Sequence, residues 1–294
     1  MTWISDRVVL HLRDVAEAPD FSGTRYTIIR ELARGGMGIV YEAEDEELQR
    51  RVALKVVVTE LASADAGERM RREARTIAKL EHPGIVPLHD VGRLPDGRVF
   101  YAMKLVRGHR LDERPLARTE ALRLFLRLCE AVAFAHANGV VHCDLKPSNV
   151  MVGAFGEVLV MDWGVARAIS DPAADIVAGT RGFMAPEQER GDVVDARSDV
   201  FALGAILREL VTDAPKPLRA LIDKCARSNP DDRFKDASEL AAEITRFLDG
   251  QPLLSYRETL IERVTRWLAQ NRALVAVVIA YVIMRLLVLF FAHR

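Results

Sequence analysis

From residue 27 to residue 105 the apolar positions alternate with polar ones. The period then lengthens. Residues 27–32, 39–43, 52–58, 86–91 and 99–105 read as strands, being β-branched or apolar runs bounded by turn residues. A glycine-rich turn over 33–38 joins the first two, an acidic turn over 44–47 the next pair, and Pro95-Asp96-Gly97 the last. One helix, 66–80, interrupts the strands and ends at His82-Pro83. From Thr119 the spacing becomes helical, with Ala121, Leu124, Phe125, Leu128, Val132 and Ala135 on the inward face of a long helix that ends near Gly139. Further helices are expected over 198–210, 216–226 and 237–248. A strand-rich block followed by a helix-rich block predicts two lobes with a cleft between them.

The C-terminal pattern is of another kind. Leu260, Ile261, Val264, Trp267 and Leu268 keep helical spacing among Arg257, Arg263, Arg266 and Arg272. An ordinary linker helix and an interfacial helix with Trp267 at headgroup level both fit that pattern. Residues 273–291 are apolar except for Arg285. At 1.5 Å per residue they would span roughly 28 Å, close to the hydrocarbon thickness of a bilayer. Arg285 lies toward the far end, where its guanidinium can snorkel. Arginines crowd the N-terminal side of this span and only His293 and Arg294 follow it, which predicts a cytoplasmic N-terminal domain. Residues 1–25 contain no uninterrupted apolar stretch, so no signal peptide is expected there. With only the short tail, 292–294, after it, no sensor is expected beyond the span in this sequence.

Composition narrows the choice. With 294 residues, 50% hydrophobic and 28% charged, the chain can bury a sizeable core, and a net charge of −1 excludes an electrostatic nucleic-acid partner. Cys129, Cys143 and Cys225 are too scattered for a disulfide framework or a zinc site.

The chemistry is concentrated in His142-Cys143-Asp144-Leu145-Lys146-Pro147-Ser148-Asn149, then Asp162-Trp163-Gly164 and Ala185-Pro186-Glu187. One loop thus carries a carboxylate, an ammonium and an amide, with a second carboxylate soon after. Phosphoryl transfer from a metal–nucleotide complex needs that set. Lys55 stands amid apolar strand residues, where an unpaired ammonium would be costly, so it requires a carboxylate partner.

Together with Val52-Ala53-Leu54-Lys55 and Ala33-Arg34-Gly35-Gly36-Met37-Gly38-Ile39-Val40, these motifs resemble the protein kinases of the bacterial serine/threonine type from about Tyr26 to Leu248. The resemblance implies an α+β, two-lobed kinase fold: a small antiparallel β-sheet lobe with one helix (26–106) and a larger helical lobe (107–250). The juxtamembrane helix is expected over 251–272 and a single transmembrane helix over 273–291, with 1–25 as a leader. By the resemblance, ATP would be held by Ala33, Gly35, Gly36, Gly38, Val40, Ala53, Lys55, Met103, Leu105 and Met151. Glu73 would pair with Lys55. Asp144 would take the hydroxyl proton, Lys146 would sit on the γ-phosphate, and Asn149 and Asp162 would hold Mg²⁺, with Mn²⁺ as a substitute. Ser170 and Thr180 would lie in the activation segment. His142, Glu187, Asp199 and Arg233 would be structural, with Glu187 paired to Arg233, Asp199 holding the catalytic-loop backbone, and His142 packed in the core. The implied activity is transfer of the γ-phosphoryl group to Ser/Thr hydroxyls of protein substrates, including this chain's own, at a cell membrane. The bilayer is an expected partner and a homodimer one allowed assembly.

The chain departs from the family pattern in places. Ala33 replaces the first loop glycine, and Trp163 replaces the usual Phe. Cys143 replaces the Arg that commonly binds a phosphate on the activation segment, so phosphorylation of that segment is not expected to be the main switch. Residues 212–216 run almost directly into the next helix, where the family has an extra helix and a long loop. Ala33, Cys143 and the missing helix leave a second reading open, a nucleotide-binding pseudokinase scaffold without turnover. A small-molecule kinase is a third. Retention of Lys55, Glu73, Asp144, Lys146, Asn149 and Asp162 argues for catalysis, and the stretch 179–187 argues for protein substrates.

Overall fold

A computed structural model describes residues 19–35, 38–57, 64–168 and 179–292. Five antiparallel strands, β1 (Tyr26–Gly35), β2 (Gly38–Asp45), β3 (Arg50–Val56), β4 (Leu88–Arg93) and β5 (Val99–Lys104), form a sheet in the order β1-β2-β3-β5-β4. The helix α1 (Ala64–Lys79) packs on β4 and β5. The period-two side-chain alternation of a strand divides β3 and β5 between two cores. Val52, Leu54, Val56, Phe100 and Ala102 enter a small core on the outer face with Phe21 and Tyr26. Ala53, Val57, Val99, Tyr101 and Met103 face inward, toward α1 and the main core. Lys55 belongs to this inner set by register, opposite Tyr101.

The helical lobe follows. It comprises α2 (Arg118–Ala137), α3 (Pro186–Arg190), α4 (Ala196–Leu210), α5 (Lys216–Cys225) and α6 (Ala237–Leu248). All six predicted inward residues of α2 are buried. α2 packs on α6 and α4, and α4 on α5. Residues 211–215 make the whole connection from α4 to α5, as the shortened sequence predicts. The two helices also pack closely: a Cβ on Gly204 of α4 would lie 2.3 Å from the Cβ of Cys225 on α5. Short strands β6 (Gly108–Arg110), β7 (Val140–Val141), β8 (Val150–Gly153), β9 (Val158–Val160) and β10 (Arg167–Ala168) form two small ladders, β6-β8-β9 and β7-β10, that flank the catalytic loop.

One strand differs from expectation. The run predicted over 86–91 pairs as β4 only from Leu88 onward. Before that, Ile85 and Val86 turn aside to Val160: the Val86 N–H donates to the Val160 carbonyl at 3.2 Å and the Val160 N–H to that of Gly84 at 2.9 Å. These apolar residues tie the small lobe to β9 in the large one.

Beyond α6 the chain is pinned rather than loose. Glu243 of α6, itself buried, accepts the backbone N–H groups of Leu254 (3.0 Å) and Ser255 (2.9 Å) and the Ser255 hydroxyl. Leu253 is buried in the main core and Tyr256 packs against it. Thr259 and Glu262 form a reciprocal capping box that starts α7 (Leu260–Gln270). Helical regularity is interrupted at Asn271, and α8 (Arg272–Ala292) follows. Its stretch Ala273–Phe290 is long and apolar enough to cross a membrane, and none of it is buried by the rest of the chain.

Candidate active site

The site is built on the strands and the one helix of the small lobe, and on the loop 142–149 with Asp162 and Thr180 of the large lobe. Strands β1 and β2 converge on the pair Gly35 and Gly38. Gly38 has φ +149, and a Cβ there would lie 2.4 Å from the Val56 carbonyl oxygen, so only glycine fits. Gly36 and Met37, at the tip, lie outside the described residues.

Lys55 extends from β3 between two carboxylates, Glu73 buried and Asp162 partly exposed. Its Nζ donates to Glu73 Oε1 on α1 at 2.8 Å and to Asp162 Oδ1 at 2.6 Å. Burial would pull the ammonium's pKa down, but Tyr101, Glu73 and Asp162 hold it well above the ordinary lysine range. Burial likewise pushes Asp162 up. Lys55 more than offsets this, leaving Asp162 below its ordinary value and ionised.

The catalytic loop runs from β7 through a 3₁₀ turn, Pro147–Asn149, into β8. Cys143 (φ +66) and Asp162 (φ +59) both take the left-handed backbone region that non-glycine residues seldom occupy. For Cys143 the compensation is visible. Asp199 on α4 accepts the His142 N–H at 2.8 Å and the Cys143 N–H at 2.9 Å. Burial raises the Asp199 pKa, but His136 and the His142 N–H outweigh it, so the carboxylate stays charged and grips the loop. His136 Nδ1 accepts the Ala237 N–H at 3.3 Å, which makes Nε2 the donor to Asp199 Oδ2 at 2.9 Å. His142 is wholly buried. Its Nε2–H donates to the Met161 carbonyl at 3.0 Å, its Nδ1 accepts the Asp144 N–H at 3.3 Å, and its ring packs 4.6 Å from Trp163.

These constraints gather the polar groups. Asp144 Oδ2 accepts from Lys146 Nζ at 2.8 Å and from Asn149 Nδ2 at 3.3 Å. The Thr180 hydroxyl donates to Asp144 Oδ1 at 2.8 Å and accepts from Lys146 Nζ at 2.8 Å. A hydroxyl 2.8 Å from a carboxylate oxygen is within the reach a general base requires. Asn149 and Asp162 supply amide and carboxylate oxygens, the hard donors that Mg²⁺ prefers. Among the described residues no group of three or more His, Cys, Asp or Glu side chains gathers to hold an ion alone. The pair of Asn149 and Asp162 suits a divalent cation that takes its remaining ligands from outside the chain.

Of the predicted nucleotide-binding positions, Val40, Ala53, Met103 and Leu105 share one apolar cluster, with Ala53 paired to Met103 across β3 and β5. Ala33 lies opposite Val40 in register. Met151 is half-buried on β8, between Val150 and Val152, which enter the core. Ser170 lies outside the described residues. Glu187 and Arg233 form a buried bidentate pair at 2.6 and 2.8 Å. The Cys143 side chain is buried, its Sγ 3.7 Å from the Val141 carbonyl oxygen.

Sequence reasoning missed four supporting residues. The Tyr101 hydroxyl donates to Glu73 Oε1 at 2.8 Å, Gln188 Nε2 donates to the Cys143 carbonyl at 2.8 Å, Ser198 Oγ donates to Glu187 at 2.7 Å, and His136 steadies Asp199. A tyrosine on the inward side of an apolar strand and a histidine in the last turn of a buried helix are detectable signals, because each needs a polar partner inside. Gln188 and Ser198 gave no comparable sign.

Comparison with known proteins agrees with this geometry. A family model described as "Protein kinase domain" matches residues 26–250. The serine/threonine-protein kinase PknB of Mycobacterium tuberculosis is 35% identical over 278 residues, covering 80% of this chain and 44% of that protein. PknB of Mycolicibacterium smegmatis is 34% identical over 277 residues, 79% of this chain and 44% of its own. The serine/threonine-protein kinase PknD of Mycobacterium tuberculosis is 42% identical over 204 residues, 66% of this chain and 30% of its own. The chain spans less than half the length of these relatives.

Proposed function

The chain belongs to the protein kinase domain family, and on that premise we propose that it is a membrane-anchored, ATP- and Mg²⁺-dependent serine/threonine protein kinase. The carrying observation is the convergence of Lys55, Glu73 and Asp162 within 2.8 Å across the lobes, with Asp144, Lys146, Asn149 and Thr180 joined beside them. Lys55, kept charged, orients the α- and β-phosphates. Asp144 orients the acceptor hydroxyl and receives its proton. Lys146 lies between that hydroxyl and the transferring phosphoryl group. Bound through Asn149 and Asp162, Mg²⁺ would neutralise phosphate charge that develops during transfer. The contact of Thr180 with Asp144 supports a Ser/Thr hydroxyl as acceptor, on protein substrates and on this chain itself.

α8 supports single-pass anchoring, and the arginines before it support a cytoplasmic catalytic domain. The deciding measurement is radiolabel transfer from ATP with Mg²⁺ to the chain and to a generic protein substrate. Asp144→Asn is expected to slow transfer about 10²–10⁴-fold. Equal rates for wild type and variant would instead favour a nucleotide-binding scaffold.

A further inference from the structure

The helix α7 is amphipathic and turned inside out. On a wheel of about 100° per residue, Leu260, Ile261, Val264, Trp267 and Leu268 share one sector roughly 120° wide, and Glu262, Arg266 and Gln270 lie opposite. A helix on a soluble domain buries the apolar sector. Here the polar sector makes the contacts with the chain's own linker, between Gly250 and Glu258. Glu262 accepts from the Tyr256 hydroxyl at 3.0 Å, Arg266 forms a bidentate pair with Glu258 at 2.8 and 2.9 Å, and Gln270 Nε2 donates to the Gly250 carbonyl at 2.8 Å. The apolar sector faces outward: Leu260 and Ile261 are each 78% exposed, and Val264, Trp267 and Leu268 are exposed beside them. Leu254, on the preceding linker, is also exposed.

We propose that this outward stripe lies in the interface of an anionic bilayer and mounts the catalytic domain on the membrane surface. The proposal rests on the reading of α8 as a membrane span and deepens it. Continuity identifies the occupant. Only the interruption at Asn271 separates the stripe from α8, which already needs a bilayer, so the same membrane is within reach of α7. Charge agrees, since Arg257 and Arg263 are exposed where anionic headgroups would meet them. The mount is also stiff. The Glu243 clamp and buried Leu253 fix the linker to α6, so α7 carries the large lobe with it.

The test uses the full chain in vesicles of phosphatidylcholine and phosphatidylglycerol, with bromine placed near either the headgroup end or the tail end of the acyl chains. Emission from Trp267 is obtained by difference from Trp267→Phe. It is expected to be quenched more by the headgroup-proximal bromine, because an interfacial helix sits only about 5–10 Å deep. Leu260→Asp/Ile261→Asp is expected to abolish that quenching while leaving phosphorylation of a soluble peptide unchanged. Raising salt or removing phosphatidylglycerol should weaken it. A chain that floats with the vesicles but shows unquenched Trp267 overturns the proposal and spares the span. Stronger quenching by the tail-end bromine overturns it too, as does quenching that survives the double substitution. Val264→Cys chains that cross-link pairwise, with Trp267 unquenched, would assign the stripe to a second copy. A chain that does not float overturns both readings.

Discussion

Two cation–carboxylate clusters can be compared, one inside the large lobe and one between the lobes. In the first, Arg233 is saturated: it bonds both oxygens of Glu187 and the carbonyls of Arg197, Ser228 and Arg227, and Glu187 also accepts from Ser198. Both side chains are almost wholly buried. In the second, one ammonium is shared between Glu73 and Asp162, and the Asp162 side chain is 36% exposed. The guanidinium cluster is closed on every side and can only hold. The ammonium cluster is open on one side, where phosphate and metal can join without unfolding anything. Similar charge pairs thus serve different ends according to how many of their bonding directions the protein has already filled.

This contrast can be broken experimentally. Arg233→Met should cost about 3–5 kcal/mol of stability, because it strands a buried carboxylate. Thermal unfolding should shift down by roughly 10 °C. Lys55→Met should lower phosphoryl transfer about 10²–10³-fold, with a smaller shift in unfolding than Arg233→Met, since water can reach Asp162 and the Tyr101 hydroxyl still donates to Glu73. If both variants lose the same stability, the two clusters do not differ as described.

The smallest effect is in pH. Burial raises the Glu187 pKa, but Arg233 and Ser198 lower it further, so its folded value lies below the ordinary one. Its contribution is complete above the unfolded pKa of about 4.3 and is lost as pH falls through the folded value. Stability measured against pH should therefore decline below about pH 4. Glu187→Gln should flatten that limb, and an unchanged limb would place the acid sensitivity elsewhere.

The sequence carried the large elements because they are long enough for periodicity to show. The buried face of α2 could be read from spacing alone, and Lys55 required a carboxylate partner simply by standing in an apolar strand. The short strands β6–β10 were not legible, since two to four residues hold no measurable period. The shift in β4 was hidden because Ile85 and Val86 look the same whether they pair within the sheet or with β9. The orientation of α7 was hidden for a related reason: spacing identifies an apolar stripe but not which side of it faces the protein. The left-handed turn at Cys143 left no trace, because cysteine there is not the residue that conformation favours.

Trp163 has a consequence for ligand discrimination. It is 1% exposed, packed on His142, with its indole N–H aimed at the Val160 carbonyl at 3.4 Å. Returning a tryptophan of about 200 Å² to water costs up to about 5 kcal/mol at 25 cal/mol per Å². Even half that sum leaves a swung-out loop populated at roughly 1–2%. Inhibitors that demand the vacated indole pocket would see their apparent affinity cut to that fraction, a loss of roughly 50–100-fold, whereas compounds that accept the loop where it stands would lose nothing.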